Sequence, residues 1–184
     1  MVDPSLIFKV IVAGDAAVGK TTMLNVYVNN KFSFDTRMTL GADMFHKVLI
    51  LEDGNVVSLQ IWDFGGQERF RFFLDTFSRG ASAAFLMYDL TDINTFNNLP
   101  QWEQLARKFD STLPIVLVGG KYDLEDSIEV DDDLAFEFVE KYNCRGYYKT
   151  SAKSNYNVDE IFETITMIII ENKGIDLADQ SVEI

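Results

Sequence analysis

Segments with the hydrophobic pattern of β-strands alternate with helix-like segments along almost the whole chain. The strand-like segments lie near residues 8–13, 43–51, 56–62, 83–88, 114–119 and 146–149. The helix-like segments lie near residues 20–29, 93–109, 131–142 and 157–171. We expect Pro100 to kink or restart the second helix, because proline lacks the N–H that a helix interior needs. This alternation is typical of an α/β domain.

The connection between the second and third strands has the chemistry of a tight turn, Glu52-Asp53-Gly54-Asn55. That strand pair should therefore be antiparallel. The other strands are separated by helices or long loops, which favours parallel pairing with right-handed crossovers. We predict a three-layer α/β domain with a six-stranded, mostly parallel sheet and one antiparallel edge strand. Ligands of such sheets bind beyond the carboxyl ends of the strands.

Composition narrows the possible ligands and compartments. The 184 residues fit a single domain, and the net charge of −13 argues against nucleic acid and anionic lipid as partners. No apolar run reaches the ~18 residues that a membrane helix needs. The single cysteine, Cys144, excludes an internal disulfide and fits a reducing compartment. We interpret it as a small core or loop residue rather than a reactive thiol, and we expect a soluble cytoplasmic protein.

The acidic run Asp131-Asp132-Asp133 has two interpretations. Its carboxylates could ligate a metal ion. Alternatively, the run could provide the cap and the acidic first turn of the helix that follows, where negative charge complements the helix dipole. We favour the second interpretation because an apolar-periodic segment begins directly after the run.

Residues Gly14 to Thr21 have the pattern of a phosphate-binding loop, Gly-x-x-x-x-Gly-Lys-Thr, between a strand and a helix. The glycines let successive N–H groups converge on one point, to which the following helix presents its positive end. Lys20 adds a cation for the β- and γ-phosphates, and the Thr21 hydroxyl is a suitable ligand for Mg²⁺. By itself this motif leaves open a chance glycine-rich turn, and it does not separate an ATPase, a GTPase and a kinase.

Four further residues extend this chemistry. Asp63, at the end of the third strand, can hold Mg²⁺ through water. Gly66 lets a backbone N–H approach a terminal phosphate, and the Gln67 amide can both donate to and accept from a water molecule. Thr39 lies in a segment without clear periodicity, which could fold over a nucleotide and give Mg²⁺ a second hydroxyl.

Together, these motifs resemble those of the Ras-superfamily small GTPases, and of the Rab branch most of all. The Rab resemblance is carried by Asp63 to Phe70, Arg71, Arg79-Gly80-Ala81, Tyr88 to Asp92, and Phe96-Asn97-Asn98 with Trp102, whereas Gly65-Gly66 resembles the Arf branch. The resemblance covers about residues 6–172. It implies a P-loop NTPase G domain at residues 1–173 and a short acidic tail at residues 174–184, which we expect to be disordered.

The resemblance also implies which residues bind GTP or GDP. Asp123 would accept two hydrogen bonds from guanine that adenine cannot offer, and Lys121 would stack its stem over the base. The backbone of Ser151-Ala152-Lys153 would read the guanine O6, and Phe32 would pack edge-on against the base. The implied nucleotide-binding residues are Gly14, Asp15, Ala16, Ala17, Val18, Gly19, Lys20, Thr21, Thr22, Phe32, Thr39, Gly66, Lys121, Asp123, Ser151, Ala152 and Lys153. The implied Mg²⁺ residues are Thr21, Thr39 and Asp63, and the implied catalytic residues are Gln67, Lys20 and Thr39.

The chain departs from the family pattern at several positions. Gly120 stands where the family usually has an Asn that connects the base-binding loop, which carries Lys121 and Asp123, to the P-loop. The absence of that Asn puts the affinity for the nucleotide and the rate of nucleotide exchange in question more than the choice of base. Arg37 is either an internal arginine finger or a solvent-exposed loop residue. No cysteine follows Cys144, and Val2 stands where myristoylation requires glycine, so no lipid anchor is visible.

The implied function is a GTP-hydrolysing molecular switch that uses Mg²⁺ and whose segments 30–42 and 64–77 are released when the γ-phosphate is lost. We expect a monomer that binds effector, exchange-factor and GTPase-activating proteins at a surface including Met44, Trp62 and Phe77. It should bind no nucleic acid, and it should meet membranes only through partners if the chain is complete. The alternative is a non-hydrolysing GTP-binding adaptor, motivated by Gly120. An ATP-using P-loop enzyme is disfavoured by Asp123.

Overall fold

A computed structural model describes residues 6–34 and 38–176. Six strands form one sheet: β1 (Leu6–Ala13), β2 (Ala42–Ile50), β3 (Val56–Phe64), β4 (Ala83–Asp89), β5 (Ile115–Gly120) and β6 (Tyr147–Lys149). The helices are α1 (Lys20–Asn29), α2 (Arg71–Phe77), α3 (Ile93–Asn97), α4 (Leu99–Ala106), α5 (Asp132–Lys141) and α6 (Val158–Asn172). Short 3₁₀ turns lie at Glu68–Phe70 and Tyr122–Ser127.

The sheet has the strand order β2-β3-β1-β4-β5-β6. Only the edge pair β2–β3 is antiparallel among these strands, and the other four pairs are parallel. The turn between β2 and β3 closes by backbone hydrogen bonds from Leu51 N to Asn55 O and from Gly54 N to Leu51 O, both 2.9 Å. The predicted fold class, with one antiparallel edge strand, is therefore confirmed.

Alternation of side chains along β1 divides the core between the two faces of the sheet. Val10 and Val12 are buried on the face covered by α1 and α6, whereas Ile11 and Ala13 are buried on the face covered by α2 to α5. This three-layer arrangement leaves the loops after the parallel strands at one edge, where a ligand can reach them. Within the described part of the chain, no helix is both long enough and apolar enough to cross a membrane.

The helical elements differ from the sequence prediction in two places. The segment predicted as one helix over 93–109 is two helices, which break at Asn98, with Pro100 in the first turn of α4. Proline fits there because the first N–H groups of a helix have no intrahelical acceptor, so the predicted restart is confirmed. Helix α2 was not predicted, since it is only seven residues long.

Helix α5 shows which interpretation of the acidic run is correct. Asp131 is the N-cap of this helix, and its carboxylate accepts a hydrogen bond of 2.9 Å from Leu134 N. The described residues include no group of three or more His, Cys, Asp or Glu placed to hold a metal ion. The run is therefore a capped acidic first turn. Most of the predicted tail, residues 177–184, lies outside the described residues, as does Arg37.

Candidate functional site

A cavity of about 560 Å³ lies at the carboxyl end of the sheet, where the loops after β1, β3 and β5 meet. Most of the residues proposed from the sequence line it: Ala16, Ala17, Val18, Gly19, Lys20, Thr21, Thr22, Phe32, Thr39, Gly66, Lys121, Asp123, Ala152 and Lys153. It is also lined by residues that the sequence did not single out: Ser33, Phe34, Met38, Phe64, Met87 and Leu124.

The loop between β1 and α1 has the backbone that its glycines predict. Gly14 and Gly19 have φ values of +147° and +105°, in the region that disfavours side chains. Gly14 also packs tightly, since a Cβ there would lie 2.0 Å from the carbonyl oxygen of Met87. Helix α1 begins at Lys20, directly after the loop, so its N-terminal N–H groups border the cavity.

The Lys20 ammonium is buried and held by its own loop. Its Nζ donates hydrogen bonds to Gly14 O at 2.8 Å and to Asp15 O at 2.6 Å. Burial lowers the pKa of Lys20 to about 8, while the carboxylates of Asp63 and Asp15 oppose that shift. A buried cation with an unfavourable solvation energy is attracted strongly to an incoming anion.

Three oxygen-bearing side chains from separate segments converge at one end of the cavity. The Thr21 and Thr39 hydroxyl oxygens lie 2.7 Å apart, and both donate to Asp63 Oδ2, at 2.5 and 3.2 Å. The other carboxylate oxygen, Asp63 Oδ1, is buried and has no hydrogen-bond partner among the described residues. Burial raises the pKa of Asp63, against the opposing effects of Lys20 and the two hydroxyls.

These groups fit a hard divalent cation. Mg²⁺ prefers oxygen ligands and is commonly held by one or two protein groups together with phosphate oxygens and water. A buried carboxylate oxygen without a partner is costly, and a cation nearby would satisfy it. Thr21, Thr39 and Asp63 thus lie together, as the sequence interpretation required.

The loop after β3 lies directly on the P-loop and on the segment that carries Thr39. A Cβ on Gly66 would lie 2.2 Å from the backbone nitrogen of Ala16, and one on Gly65 would lie 2.6 Å from Thr39 O. Gly65 N also donates to Gly41 O at 2.8 Å. The unusual Gly-Gly pair therefore has a steric reason, because backbones meet at both glycines.

Gln67 lies beside the cavity, and it is not among the described residues that line it. Its amide Nε2 contacts the sulfur of Met38, and its Oε1 accepts a hydrogen bond of 2.7 Å from Arg69 Nε. The side chain is therefore engaged by its neighbours, and it must leave them to reach a water molecule in the cavity.

Asp15 is not among the described residues that line the cavity, and its side chain instead binds residues of a neighbouring helix. Its two carboxylate oxygens accept hydrogen bonds from Asn98 Nδ2 at 2.7 Å and from Trp102 Nε1 at 2.8 Å. Arg71 on α2 lies 3.9 Å from the same carboxylate. The P-loop is thus joined to the start of α4 by the Asp15 side chain.

At the other end of the cavity, the predicted base-binding residues lie near one another. The Asp123 carboxylate accepts a hydrogen bond of 2.7 Å from Ser151 Oγ and lies 3.7 Å from Lys153 Nζ. Lys121 has a φ of +63° and pairs with Asp89 at 2.6 Å. Phe32 packs edge-on against Phe34 at the cavity rim, with ring centroids 4.8 Å apart. Ser151 is fully buried and contacts a residue that lines the cavity, Asp123, through its hydroxyl.

Comparison with known proteins agrees with this geometry. Residues 9–171 match the Ras family. The Ypt/Rab-type GTPase ypt7 of Schizosaccharomyces pombe is 39% identical over 176 residues, which cover 92% of this chain and 85% of that protein. The Ras-related protein RABG3b of Arabidopsis thaliana is 40% identical, with 91% and 85% covered, and the Ras-related protein Rab7 of Drosophila melanogaster is 39% identical, with 90% and 81% covered. The chain therefore belongs to the Ras family, within its Rab branch, whose members are GTPases.

Proposed function

We propose that this chain is a Mg²⁺-dependent molecular switch that hydrolyses GTP to GDP and phosphate. A water oxygen attacks the γ-phosphorus, and the bond from that phosphorus to the β–γ bridging oxygen breaks. The observation that carries the proposal is the convergence of Thr21, Thr39 and Asp63, which leaves one buried carboxylate oxygen unpartnered. These three residues would hold Mg²⁺, which neutralises phosphate charge when it is bound.

The other residues of the site neutralise the phosphate charge and orient the attacking water. Lys20 and the N–H groups of residues 14–21 bind the phosphates, and Gln67 orients the attacking water after leaving Met38 and Arg69. Arg37, which lies outside the described residues, is not assigned to this machinery. Without an arginine finger, unaided turnover should be slow, on the order of 10⁻⁴ to 10⁻² s⁻¹.

Switching follows from how the two loops meet. The segment with Thr39 contacts the end of β3 through the hydrogen bond from Thr39 Oγ1 to Asp63, and the loop after β3 through the backbone hydrogen bond from Gly65 N to Gly41 O. We propose that the γ-phosphate holds Thr39 and Gly66 together, so that its loss releases residues 30–42 and 64–77. Hydrolysis would thereby change the shape of one surface.

Partners of the switch would bind next to these loops. Met44 is 61% exposed and lies opposite Trp62 in the β2–β3 register, and Trp62 stacks on Phe77 with ring centroids 5.2 Å apart. Phe72, on α2, is 58% exposed. Exposed apolar clusters of this kind mark interaction sites, so we propose that effectors, exchange factors and GTPase-activating proteins bind here.

Nucleotide analysis tests the proposal directly. Chromatography of the nucleotide carried by purified protein should show GDP or GTP, and single-turnover phosphate release should need Mg²⁺ and stop on chelation with EDTA. Thr39→Ala should greatly slow the Mg²⁺-stimulated phosphate release, whereas Thr112→Ala, in an exposed loop, should not. A bound adenine nucleotide, or hydrolysis that persists in EDTA, would contradict the proposal. Tight GTP binding without phosphate release would favour the adaptor alternative.

Hydrogen exchange tests the switch separately from the chemistry. Residues 32–45 and 64–79 should exchange more slowly with a non-hydrolysable GTP analogue than with GDP, because only the triphosphate contacts both loops. Identical protection in the two nucleotide states would contradict the proposed switching, even if hydrolysis is observed.

A further inference from the structure

Met87 lines the cavity and lies next to both the P-loop and the end of β5. It lies on β4 and is 2% exposed. Its backbone carbonyl packs against Gly14, and its methyl carbon Cε would be 3.5 Å from a Cβ placed on Gly19. The same methyl carbon would be 2.6 Å from a Cβ placed on Gly120. Two glycines of the P-loop and the last residue of β5 therefore pack around one methionine.

Gly120 has no room for a side chain in this arrangement. Besides the Met87 methyl group, a Cβ there would lie 2.9 Å from Val18 O and 3.4 Å from Tyr88 O. Contacts below 3.0 Å between a Cβ and a heavy atom require one of them to move. Only the methionine end is flexible, since the other two atoms belong to the backbone. The missing side chain at Gly120 and the long side chain at Met87 are therefore complementary.

We propose that the Met87 thioether fills the space above Gly120 and holds the base-binding loop on the P-loop by packing, so that it sets how long the chain retains its nucleotide. This inference rests on the proposed function, because it concerns the same nucleotide site. Val18 belongs to the P-loop, Gly120 ends β5, and Lys121 follows it directly. A non-polar contact thus connects the two loops where the family usually places the polar side chain of Asn.

Packing and hydrogen bonding make opposite demands on position 120. If the space between Gly120 and the P-loop were empty, an Asn at position 120 would fit there and would slow nucleotide release. If Met87 fills the space, Asn at 120 displaces the thioether and pushes on Val18 O, so release becomes faster. Shortening Met87 at the same time removes the closest conflict, so that only the 2.9 Å approach to Val18 O remains for the backbone to absorb. The two positions should therefore be strongly coupled.

The experiment is a double-mutant cycle on the release rate of a fluorescent GDP analogue. Met87→Val and Gly120→Asn should each speed release about fivefold or more, whereas the double variant should release more slowly than either single variant. Gly120→Ala adds only the colliding Cβ, so it should also speed release, and Met87→Val should reduce that effect without removing it, because the approach to Val18 O remains. Met87→Leu keeps most of the volume and should stay near wild type.

Leu86→Val is the matched control, because Leu86 is the buried neighbour on β4 that packs on the opposite face of the sheet. It should lower the melting temperature of the protein while leaving the release rate unchanged, which separates general loosening from the specific connection. Slower release in Gly120→Asn alone, or additive effects in the cycle, would overturn the inference. A wild-type chain that fails to bind the GDP analogue would overturn the proposed function and this inference with it.

Discussion

The two ends of the nucleotide cavity are built in different ways. At the phosphate end, polar groups from three segments contact one another directly, with Thr21, Thr39 and Asp63 within hydrogen-bond distance. At the base end, Asp123 is held by one buried hydroxyl and one largely exposed lysine, and the neighbouring loop is supported by the Met87 side chain.

This difference follows from what each end must do. Phosphate oxygens and a divalent cation require donors and ligands in fixed positions, because charge in a buried site must be compensated at close range. A base is a flat, largely apolar ring with a few polar edges, so packing can replace one polar contact and leave the edge readout in place. The phosphate end therefore tolerates little change, whereas the base end can be rebuilt around a different side chain.

The largest expected effect comes from Asp123, the group on which base choice depends. Asp123→Asn should weaken GTP binding by about 2–4 kcal/mol and shift the preference toward xanthosine triphosphate, whose 2-oxo group needs a donor. Calorimetric titration with both nucleotides measures the change. If the variant bound GTP with the same affinity as the wild-type protein, Asp123 would not be the residue that recognises the base.

The matched control for that experiment is Asp126→Asn, an exposed carboxylate in the same 3₁₀ turn. It changes the net charge by the same amount and should leave both affinities unchanged. The Mg²⁺ dependence of binding should survive in both variants, because they leave the phosphate end intact. Loss of that dependence in Asp123→Asn would mean that the two ends are not separable.

The next effect concerns the anchor of the P-loop on α4. Asp15→Ala should lower the free energy of unfolding by about 1–3 kcal/mol, because buried Trp102 loses the acceptor for its Nε1 and Asn98 loses its partner. Chemical denaturation of the GDP-bound protein measures this. Asp133→Ala, on the exposed first turn of α5, is the charge-matched control and should cost much less.

A smaller effect, on rate alone, is expected at Gln67. Gln67→Leu should keep GTP affinity and slow single-turnover hydrolysis about tenfold or more, because the water loses the amide that orients it. Wild-type phosphate release in this variant would exclude Gln67 from the reaction. Arg37→Ala, measured in the same assay, shows whether an internal arginine finger acts, since only a catalytic arginine would change the rate.

Much of the fold and the phosphate end could be predicted from the sequence because their residues are set by local geometry. A loop that aims N–H groups inward needs glycines at fixed spacing, so Gly14 to Thr21 is visible as a pattern. The hairpin at Glu52–Asn55 and the cap at Asp131 are likewise local. In each case, neighbours along the chain determine the conformation.

The unpredicted features depend on contacts between distant segments. Helix α2 is only seven residues long, and Leu74 is its one fully buried residue with a described side chain, so too few turns face the core to give a helical sequence signal. Met87 has the sequence signature of an ordinary core residue of a strand, and only the approach of β5 and the P-loop makes it part of the cavity. The direction of the Asp15 side chain was also hidden, because it is set by α4 more than eighty residues later.

The smallest expected effect concerns Lys153 and Ser151, the two residues whose side chains contact the Asp123 carboxylate. Lys153 lies 3.7 Å from the Asp123 carboxylate and its side chain is 53% exposed, whereas Ser151 is buried and donates at 2.7 Å. Exposed ion pairs contribute little, because water and salt screen them, so Lys153→Ala should weaken GDP binding by less than about 1 kcal/mol. Ser151→Ala should weaken it more, because Asp123 then loses the donor that orients it. Affinities measured at two salt concentrations test this order, since only the Lys153 contribution should fall as salt rises. A larger loss in Lys153→Ala than in Ser151→Ala would mean that charge rather than the buried hydroxyl positions the base-reading carboxylate.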